Sequence, residues 1–330
     1  MYAGTTDRKI DKLIHLLVKN ATIVVPGPKI ASEIGVTRST VWMWIEKLRA
    51  LGVEIRGVPA SGYRLQKLPD LLVPSLIRPE LGENEIGRKM IHFFRTESTN
   101  DAALKLASEG SPHGTVVLAE EQTAGRGRFG RTWYSERSSG IYCSILLRPP
   151  LPPSAAPVLT LMAGLAAHHA VSGVTGLPVD IRWPNDLLLN GRKVCGVLTE
   201  MSAEVDRLHA VVVGIGINVN HRAMPAEIKE IASSLRMESG KPYVRANILI
   251  SLLKELERCY RLLLDEGSAA IAQSWARASS YAAGKRIRVV SNSGEFCATT
   301  EGLEASGALR VVREDGRRES LVSGEIIGVK

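Results

Sequence analysis

The sequence of 330 residues has few cysteines and aromatic residues, and it lacks the patterns of several large protein classes. Its four cysteines, Cys143, Cys195, Cys259 and Cys297, include no Cys-x-x-Cys pair, so we predict reduced thiols rather than disulfides or a zinc site. No apolar run approaches about 18 residues, which argues against a membrane span. The N-terminus has no apolar core followed by a small-residue cleavage site, so we predict no signal peptide. These absences predict a soluble, cytoplasmic protein.

Two catalytic patterns are also absent. There is no Walker-type Gly-x4-Gly-Lys-Ser/Thr run, which excludes an ordinary P-loop nucleotide site. No nucleophile stands beside a companion base, and we interpret Cys195 and the pair His168-His169 as packing residues. The sequence therefore offers no covalent catalyst.

The positive charge is concentrated at one end of the chain. The whole chain has a formal net charge of +8, and residues 1–68 hold eleven Lys/Arg against five Asp/Glu, a local excess of six. A small basic domain on a nearly neutral remainder is typical of a nucleic-acid-binding appendage. The alternative is a basic face that is merely solvated.

The same region has the pattern of a winged helix-turn-helix. Apolar residues recur at helical spacing in residues 8–19, a short helix is predicted for 29–34, and a longer one for 38–50 after a turn at Gly35. Two β-prone runs around residues 59–62 predict a hairpin, the wing.

Candidate DNA contacts follow from this geometry. The second helix of such a motif presents its first residues to the major groove, and the wing holds flanking phosphates. The predicted DNA-binding residues are Arg38, Ser39, Thr40, Arg56 and Arg64. The alternative is a helical interaction domain without a DNA role.

Three units are predicted along the chain: 1–68, 69–282 and 283–330. Three prolines in residues 67–80 predict an irregular linker. Strands and helices mix from about 85 to 282, where Ser98 begins a Ser-x-x-Asp cap for a helix over 99–108. From Gly284 onward the short strands and turns predict a small β-barrel.

The most informative segment is GRGRFGRTW, residues 125–133. Glycines let backbone amides approach an anion, and guanidinium groups bind phosphate or carboxylate through two hydrogen bonds. The segment therefore predicts a loop that surrounds a polyphosphate. An RNA-binding loop of arginine-glycine type is the alternative.

A second segment places a lysine beside a carboxylate. Asp186 follows Arg182-Trp183-Pro184-Asn185, and Lys193 lies beyond Asn190-Gly191, a pair typical of a tight hairpin turn. The hairpin is predicted to bring Lys193 back beside Asp186. This pair is either a structural ion pair or an ammonium held for charge that develops at phosphorus.

These motifs together resemble those of the bacterial biotin protein ligases. The resemblance is carried by Ser98-Thr99-Asn100, GRGRFGRTW, RWPNDL with NGRKVCGV, and GIGINV, in this order. The N-terminal winged helix and the β-rich tail resemble the bifunctional type, the biotin operon repressors. The implied fold is α+β: a winged helix-turn-helix, a mixed α/β domain similar to class II synthetases, and a C-terminal SH3-like barrel.

The resemblance implies a two-step ligation that needs ATP and Mg²⁺. Biotin and ATP give biotinoyl-5′-adenylate and pyrophosphate, and a lysine of the biotin carboxyl carrier protein of acetyl-CoA carboxylase then takes the biotinoyl group. Implied further partners are operator DNA and, in the adenylate-bound state, a second copy of the chain. No membrane partner is implied.

Residue roles are also carried over from the family. The implied biotin-binding residues are Ser98, Thr99, Asn100, Gln122, Gly125, Arg126, Gly127, Arg128, Lys193 and Gly196. The implied adenylate-binding residues are Arg128, Arg131, Trp133, Lys193 and Asn218. Lys193, Arg126, Arg128 and Asp186 are the implied catalytic residues, and Asp186 is also a candidate ligand for Mg²⁺ or a guide for the acceptor lysine.

Two positions depart from the family pattern, and two other functions compete with it. Phe129 replaces an arginine that is common in the loop, and Met43 replaces a lysine or arginine in the DNA-reading helix. A pure transcription factor with a ligand-sensing middle domain would not need Lys193 beside the loop. A lipoate ligase or octanoyltransferase shares the central fold but carries different glycine-rich signatures.

Overall fold

The computed structural model describes residues 4–203, 208–291 and 294–328. Within them the chain forms a helical N-terminal unit with a hairpin, a mixed seven-stranded sheet with helices on both faces, and a C-terminal five-stranded antiparallel sheet. This architecture confirms the α+β prediction.

The N-terminal unit is the predicted winged helix-turn-helix. It consists of α1 (Gly4–Lys19), α2 (Gly27–Ile34), α3 (Arg38–Ala50), β1 (Glu54–Val58) and β2 (Gly62–Lys67). Gly35 ends α2 with a φ of 70°, a left-handed conformation that glycine adopts without steric cost. Val41, Trp44, Ile45 and Leu48 bury one side of α3 in a core that this unit shares with Leu71, Val73 and Phe94.

The linker prediction was partly wrong, because residues Pro74–Leu81 form a helix, α4. Pro74 stands in the first turn, where a missing N–H costs nothing, so proline density alone did not exclude a helix. Ile77 and Leu81 are buried and hold α4 against the core.

The central sheet has the strand order β3-β4-β5-β9-β8-β7-β6, with only β3 and β4 parallel. Its strands are β3 (Met90–Phe93), β4 (Thr115–Ala119), β5 (Gly140–Leu147), β6 (Asp180–Arg182), β7 (Asp186–Leu189), β8 (Arg192–Ala203) and β9 (Leu208–Asn218). The helices that cover it are α5 (Thr99–Ser108) on one face, and α6 (Ala156–Thr175), α8 (Arg245–Glu266) and α9 (Ser268–Arg277) on the other. A short α7 (Leu235–Ser239) precedes α8.

Helix α6 is the one described helix that is long and apolar enough to cross a membrane, counted over Pro153–Thr175. Its side chains from Val158 to Ala167 are almost all buried between the sheet and α8. Its apolar composition is therefore explained by its place in the protein core.

The C-terminal unit confirms the all-β prediction. Strands β10 (Ala283–Ser291), β11 (Gly294–Leu303), β12 (Leu309–Arg313), β13 (Arg318–Leu321) and β14 (Glu325–Gly328) pair in the order β13-β12-β11-β10-β14. The indole N–H of Trp183 donates to the Gly307 carbonyl at 3.0 Å, and Leu309 and Val311 join the central core. This unit is thus packed against the hairpin that carries Asp186.

Candidate active site

The sequence segments that carry the family resemblance converge where β4, β5, β8 and β9 meet the start of α5. At the start of α5, the Ser98 hydroxyl accepts from the Asp101 amide at 3.4 Å. The Thr99 amide and hydroxyl both donate to Oε1 of Gln122, at 2.8 and 3.0 Å. Three predicted biotin-binding residues are therefore close together, with polar groups fixed by hydrogen bonds.

Asn100 lies deeper and is held at both ends of its amide. Its Nδ2 donates to Oε2 of Glu200 at 2.6 Å, and its Oδ1 accepts from Ser144 at 2.6 Å. A Cβ on Gly214 would lie 2.2 Å from this Oδ1, so only glycine leaves room for the amide. These contacts favour a role for Asn100 in fixing α5 to the sheet.

The arginine-glycine loop, residues 125–133, folds back on itself. The Trp133 amide donates to the Gly125 carbonyl at 2.8 Å, and the Gly127 amide donates to the Arg131 carbonyl at 2.7 Å. A Cβ on Gly125 would lie 2.8 Å from the Trp133 carbonyl, which explains the glycine there. Phe129, at the tip, is 62% exposed and has a positive φ of 56°.

The three arginines of the loop point to different partners. Arg126 donates to both carboxylate oxygens of Asp101, at 2.7 and 2.6 Å. Arg131 does the same with Glu325 of the C-terminal sheet, at 2.8 and 2.6 Å. Arg128 instead donates to neutral oxygens, the Gly324 carbonyl at 3.1 Å and the Asn185 amide at 3.4 Å. Burial lowers the pKa of Arg128. Its charge is thus the least compensated by these contacts.

Trp133 lies on a floor of two glycines. A Cβ on Gly216 would stand 2.4 Å from Cε2 of the indole, and one on Gly196 would stand 2.9 Å from Cζ3. The Nζ atom of Lys193 lies 5.5 Å from the indole ring centroid. The predicted adenylate residue, the predicted biotin floor and the predicted catalytic lysine are therefore in one place.

Lys193 and Asp186 meet as predicted across the hairpin β7–β8, whose turn residues Asn190 and Gly191 both have positive φ. Nζ of Lys193 is 2.5 Å from Oδ1 of Asp186, and Arg182 Nη2 is 2.8 Å from Oδ2. Burial alone would raise the pKa of Asp186, but the two cations outweigh it and the pKa is lowered. Asp186 is therefore an ionised, buried carboxylate.

A resident Mg²⁺ does not fit this carboxylate. Both of its oxygens face a cation at hydrogen-bond distance, whereas Mg²⁺ binds through carboxylates that keep their charge available and through several waters. The arrangement favours Asp186 as the residue that positions Lys193.

Ser233 is a polar residue of the site that the sequence analysis missed, and it lies beside the predicted residue Asn218. Asn218 Nδ2 donates to the Ser233 carbonyl at 3.0 Å, while Asn218 Oδ1 and the Ser233 hydroxyl are buried without a partner in the described ranges. Ser233 reaches this position because its amide donates to the Lys193 carbonyl at 2.9 Å. That contact joins distant parts of the chain, so no local sequence signal could have indicated it.

The surroundings of Cys195 agree with its interpretation as a packing residue, whereas His169 makes polar contacts. Cys195 is fully buried, and burial raises the pKa of its thiol. His169 lies near Glu255 and Cys259, with ligand atoms within 4.8 Å. However, Arg258 already donates to His169 at 2.7 Å and lies 2.8 Å from Glu255, so a cation occupies that position.

The predicted DNA contacts lie on the exterior of the winged helix. Arg38 and Ser39 are exposed on the first turn of α3, and Thr40 is half-buried with its amide donating to the Thr37 hydroxyl at 3.2 Å. Arg56 and Arg64 are exposed and directly opposite each other in the β1–β2 ladder. Like charges directly opposite each other repel, so a bound phosphate would reduce the repulsion between these two arginines.

Comparison with known proteins covers all three units. Family models described as HTH domain, Biotin/lipoate A/B protein ligase family and Biotin protein ligase C terminal domain match residues 9–64, 93–218 and 283–327. The bifunctional ligase/repressor BirA of Bacillus spizizenii is 39% identical over 92% of this chain and 94% of its own. The biotin–[acetyl-CoA-carboxylase] ligase of Paracoccus denitrificans is 35% identical over 70% of this chain and 97% of its own.

A solved structure of a biotin protein ligase is also similar to this chain. The biotin protein ligase from Aquifex aeolicus, in complex with biotin and ATP, matches with a TM-score of 0.63 and 30% identity. The match covers 72% of this chain and 97% of the Aquifex chain.

Proposed function

The chain belongs to the biotin protein ligase family, and from this membership and the site geometry we propose that it attaches biotin to a carrier-protein lysine with ATP as second substrate. In the first step a biotin carboxylate oxygen attacks the α-phosphorus of ATP, and pyrophosphate leaves. The product is biotinoyl-5′-adenylate, a mixed anhydride. In the second step the uncharged lysine amine of the carrier attacks the carbonyl carbon of this adenylate; an amide forms, AMP leaves, and the amine proton is released to solvent. Neither step needs an enzyme nucleophile.

The observation that carries the proposal is the place of Trp133. Its indole lies beside Lys193 on the floor formed by Gly196 and Gly216, and Gly216 stands two residues before Asn218 on β9. Asn218 and Ser233 offer an unpaired acceptor and an unpaired hydroxyl, and adenine presents an amine donor beside a ring-nitrogen acceptor. A stacking surface, an adenine-reading pair and a cation are thus adjacent, as adenylate formation requires.

The remaining assignments follow from this arrangement. Ser98, Thr99 and Gln122 bind the ureido ring of biotin, and Gly125–Arg131 covers the ligands. Lys193 bridges the biotin carboxylate and the α-phosphate, with Arg128 as the second cation. Asp186 and Arg182 hold the ammonium in place through the contacts described above. Mg²⁺ enters with ATP, bound to the triphosphate of the substrate.

We further propose that the units 1–68, 69–282 and 283–330 are the DNA-binding, ligase and C-terminal domains of a cytoplasmic protein. The proposed carrier is the biotin carboxyl carrier protein of acetyl-CoA carboxylase, because the Paracoccus relative is a biotin–[acetyl-CoA-carboxylase] ligase. A lipoate ligase is disfavoured because the similar proteins from Paracoccus denitrificans and Aquifex aeolicus are biotin ligases. An RNA-binding role of the loop is disfavoured because Arg126 and Arg131 are paired with carboxylates.

The winged helix supports a second activity, repression of biotin-related genes at operator DNA. Adenylate at the loop would favour a homodimer, and two winged helices would then contact two half-sites. Sedimentation with and without saturating biotin and ATP tests the dimer. A monomer under both conditions would remove this mechanism.

The ligase proposal is tested by transfer of radiolabelled biotin to a purified carrier domain. We expect labelling of the carrier lysine only with ATP, release of pyrophosphate before transfer, and no labelling of a carrier whose acceptor lysine is replaced by arginine. Biotin binding without any transfer would instead indicate a ligand-sensing regulator.

A further inference from the structure

The outward face of α3 is unexpectedly apolar for a helix that contacts DNA. Val41, Trp44 and Ile45 face the core, whereas Trp42 and Met43 are 58% and 54% exposed. Each lies one turn after a polar residue of the first turn, since Trp42 follows Arg38 and Met43 follows Ser39 by four positions. The face that would enter the major groove therefore presents two polar and two large apolar side chains.

The basic residues farther along α3 are engaged elsewhere. Lys47 Nζ lies 5.3 Å from the Phe94 ring centroid, and Arg49 donates to the Ile55 carbonyl and to Glu46. They cannot supply cations to the middle of the helix without leaving these contacts. The apolar pair is thus the main outward feature after the first turn.

An apolar side chain gains little from phosphates or from polar base edges. The major groove contains one apolar group that distinguishes bases, the C5 methyl of thymine. Resting on the proposed DNA-binding function, we propose that Trp42 and Met43 read thymine methyl groups, next to the base contacted by Arg38. They are specificity-determining residues, and the preferred half-site contains thymines at the positions they contact.

Charge favours DNA over a protein as the occupant of this face. Arg38 stands at one end of the apolar pair, and Arg56 and Arg64 are exposed on the neighbouring wing. A polyanion satisfies these groups, whereas an apolar protein surface would bury them without partners.

The test begins with selection of duplexes from a random-sequence pool by the full-length protein with saturating biotin and MgATP. Each thymine of the selected site is then replaced singly by deoxyuridine, which removes only the methyl group. Loss of one contacted methyl should weaken binding about fourfold, and thymines outside the contacted positions should show no change.

Two variants assign the effect to these residues. Trp42→Ala should weaken binding to the thymine duplex and abolish its advantage over the deoxyuridine duplex at one position. Met43→Lys should steepen the salt dependence by about one unit and reduce the advantage at the neighbouring position. Unchanged thermal unfolding and far-ultraviolet circular dichroism of each variant show that its winged helix is folded.

The outcomes separate this inference from the proposed function. Enrichment of no duplex would overturn both. A selected duplex whose affinity is the same with thymine and deoxyuridine would leave the repressor function intact and overturn methyl reading. Equal weakening of both duplexes by Trp42→Ala, with the methyl advantage retained, would also overturn it.

Discussion

The ammonium nitrogen of Lys193 lies 2.5 Å from Oδ1 of Asp186, although the two residues stand on different strands of the β7–β8 hairpin. Arg182 neutralises the other carboxylate oxygen at 2.8 Å. The lysine is therefore held before any substrate arrives, and a biotin carboxylate can share its charge without reorganising the hairpin. Preorganised charge of this kind stabilises a transition state more than a mobile lysine would.

Lys193→Ala should lower the rate of adenylate formation about 10²- to 10³-fold, because one preorganised charge is lost where negative charge develops. Pyrophosphate release under single-turnover conditions measures this rate. Biotin affinity should fall much less. Lys254→Ala, at an exposed lysine of α8, is the matched control and should leave the rate unchanged. A near-normal rate for Lys193→Ala would refute its catalytic role.

Gly216→Ala should weaken ATP binding by an order of magnitude or more, since the new methyl would stand 2.4 Å from Cε2 of Trp133 and displace the indole. Calorimetric titration with ATP and, separately, with biotin measures the effect, and biotin affinity should change less. Gly173→Ala is the matched control, because no atom lies within 4 Å of the added carbon there. If both variants bind ATP normally, Trp133 does not define the nucleotide site.

Glu120→Gln should destabilise the protein at neutral pH by about 3 kcal/mol, because it removes one of the two carboxylates beside the buried Arg245 and leaves only Asp70, 3.3 Å from its Nε. Arg245 Nη2 donates to Glu120 Oε2 at 2.8 Å, and the Leu72 amide of the linker donates to Oε1 at 2.8 Å. Urea unfolding at pH 7 measures the loss. Glu121→Gln, at the partly exposed neighbour that pairs with Arg95, is the control and should cost little.

The carboxylate of Glu120 also predicts how the stability of the protein depends on pH. Burial raises the pKa of Glu120, but hydrogen bonding to His92 and the charge of Arg245 outweigh this and hold it at about 2. Since this lies below the ordinary value of 4.5, the stabilisation is present above pH 4.5 and is lost as the pH falls toward 2. The free energy of unfolding, plotted against pH across this range, should change less for Glu120→Gln than for the unmodified protein. Parallel curves for the two proteins would contradict the assignment.

Arg56→Ala should weaken DNA binding and reduce the slope of log affinity against log salt by about one unit, because one phosphate contact is lost. Fluorescence anisotropy with a selected duplex at several salt concentrations measures the slope. Lys254→Ala should leave it unchanged. An unaltered slope for Arg56→Ala would show that the wing does not contact phosphate.

The sequence by itself determined the winged helix and the hairpin of the candidate site. Helical spacing and a left-handed glycine at residue 35 specified the winged helix, and Asn190-Gly191 specified the hairpin that brings Lys193 to Asp186. These features depend on local backbone preferences, which a short stretch of sequence encodes. Proline content misled the analysis at Pro74–Leu81, since burial of Ile77 and Leu81 stabilises a helix there.

Only the tertiary structure decided how charges are partnered. Three arginines of one loop have similar sequence surroundings, yet Arg126 and Arg131 meet carboxylates while Arg128 meets neutral oxygens. Ser233 and Asn218 became neighbours through a backbone contact with Lys193 that is distant in sequence. Such pairings depend on how the sheet, the loop and the C-terminal strands pack, and no local pattern records that packing.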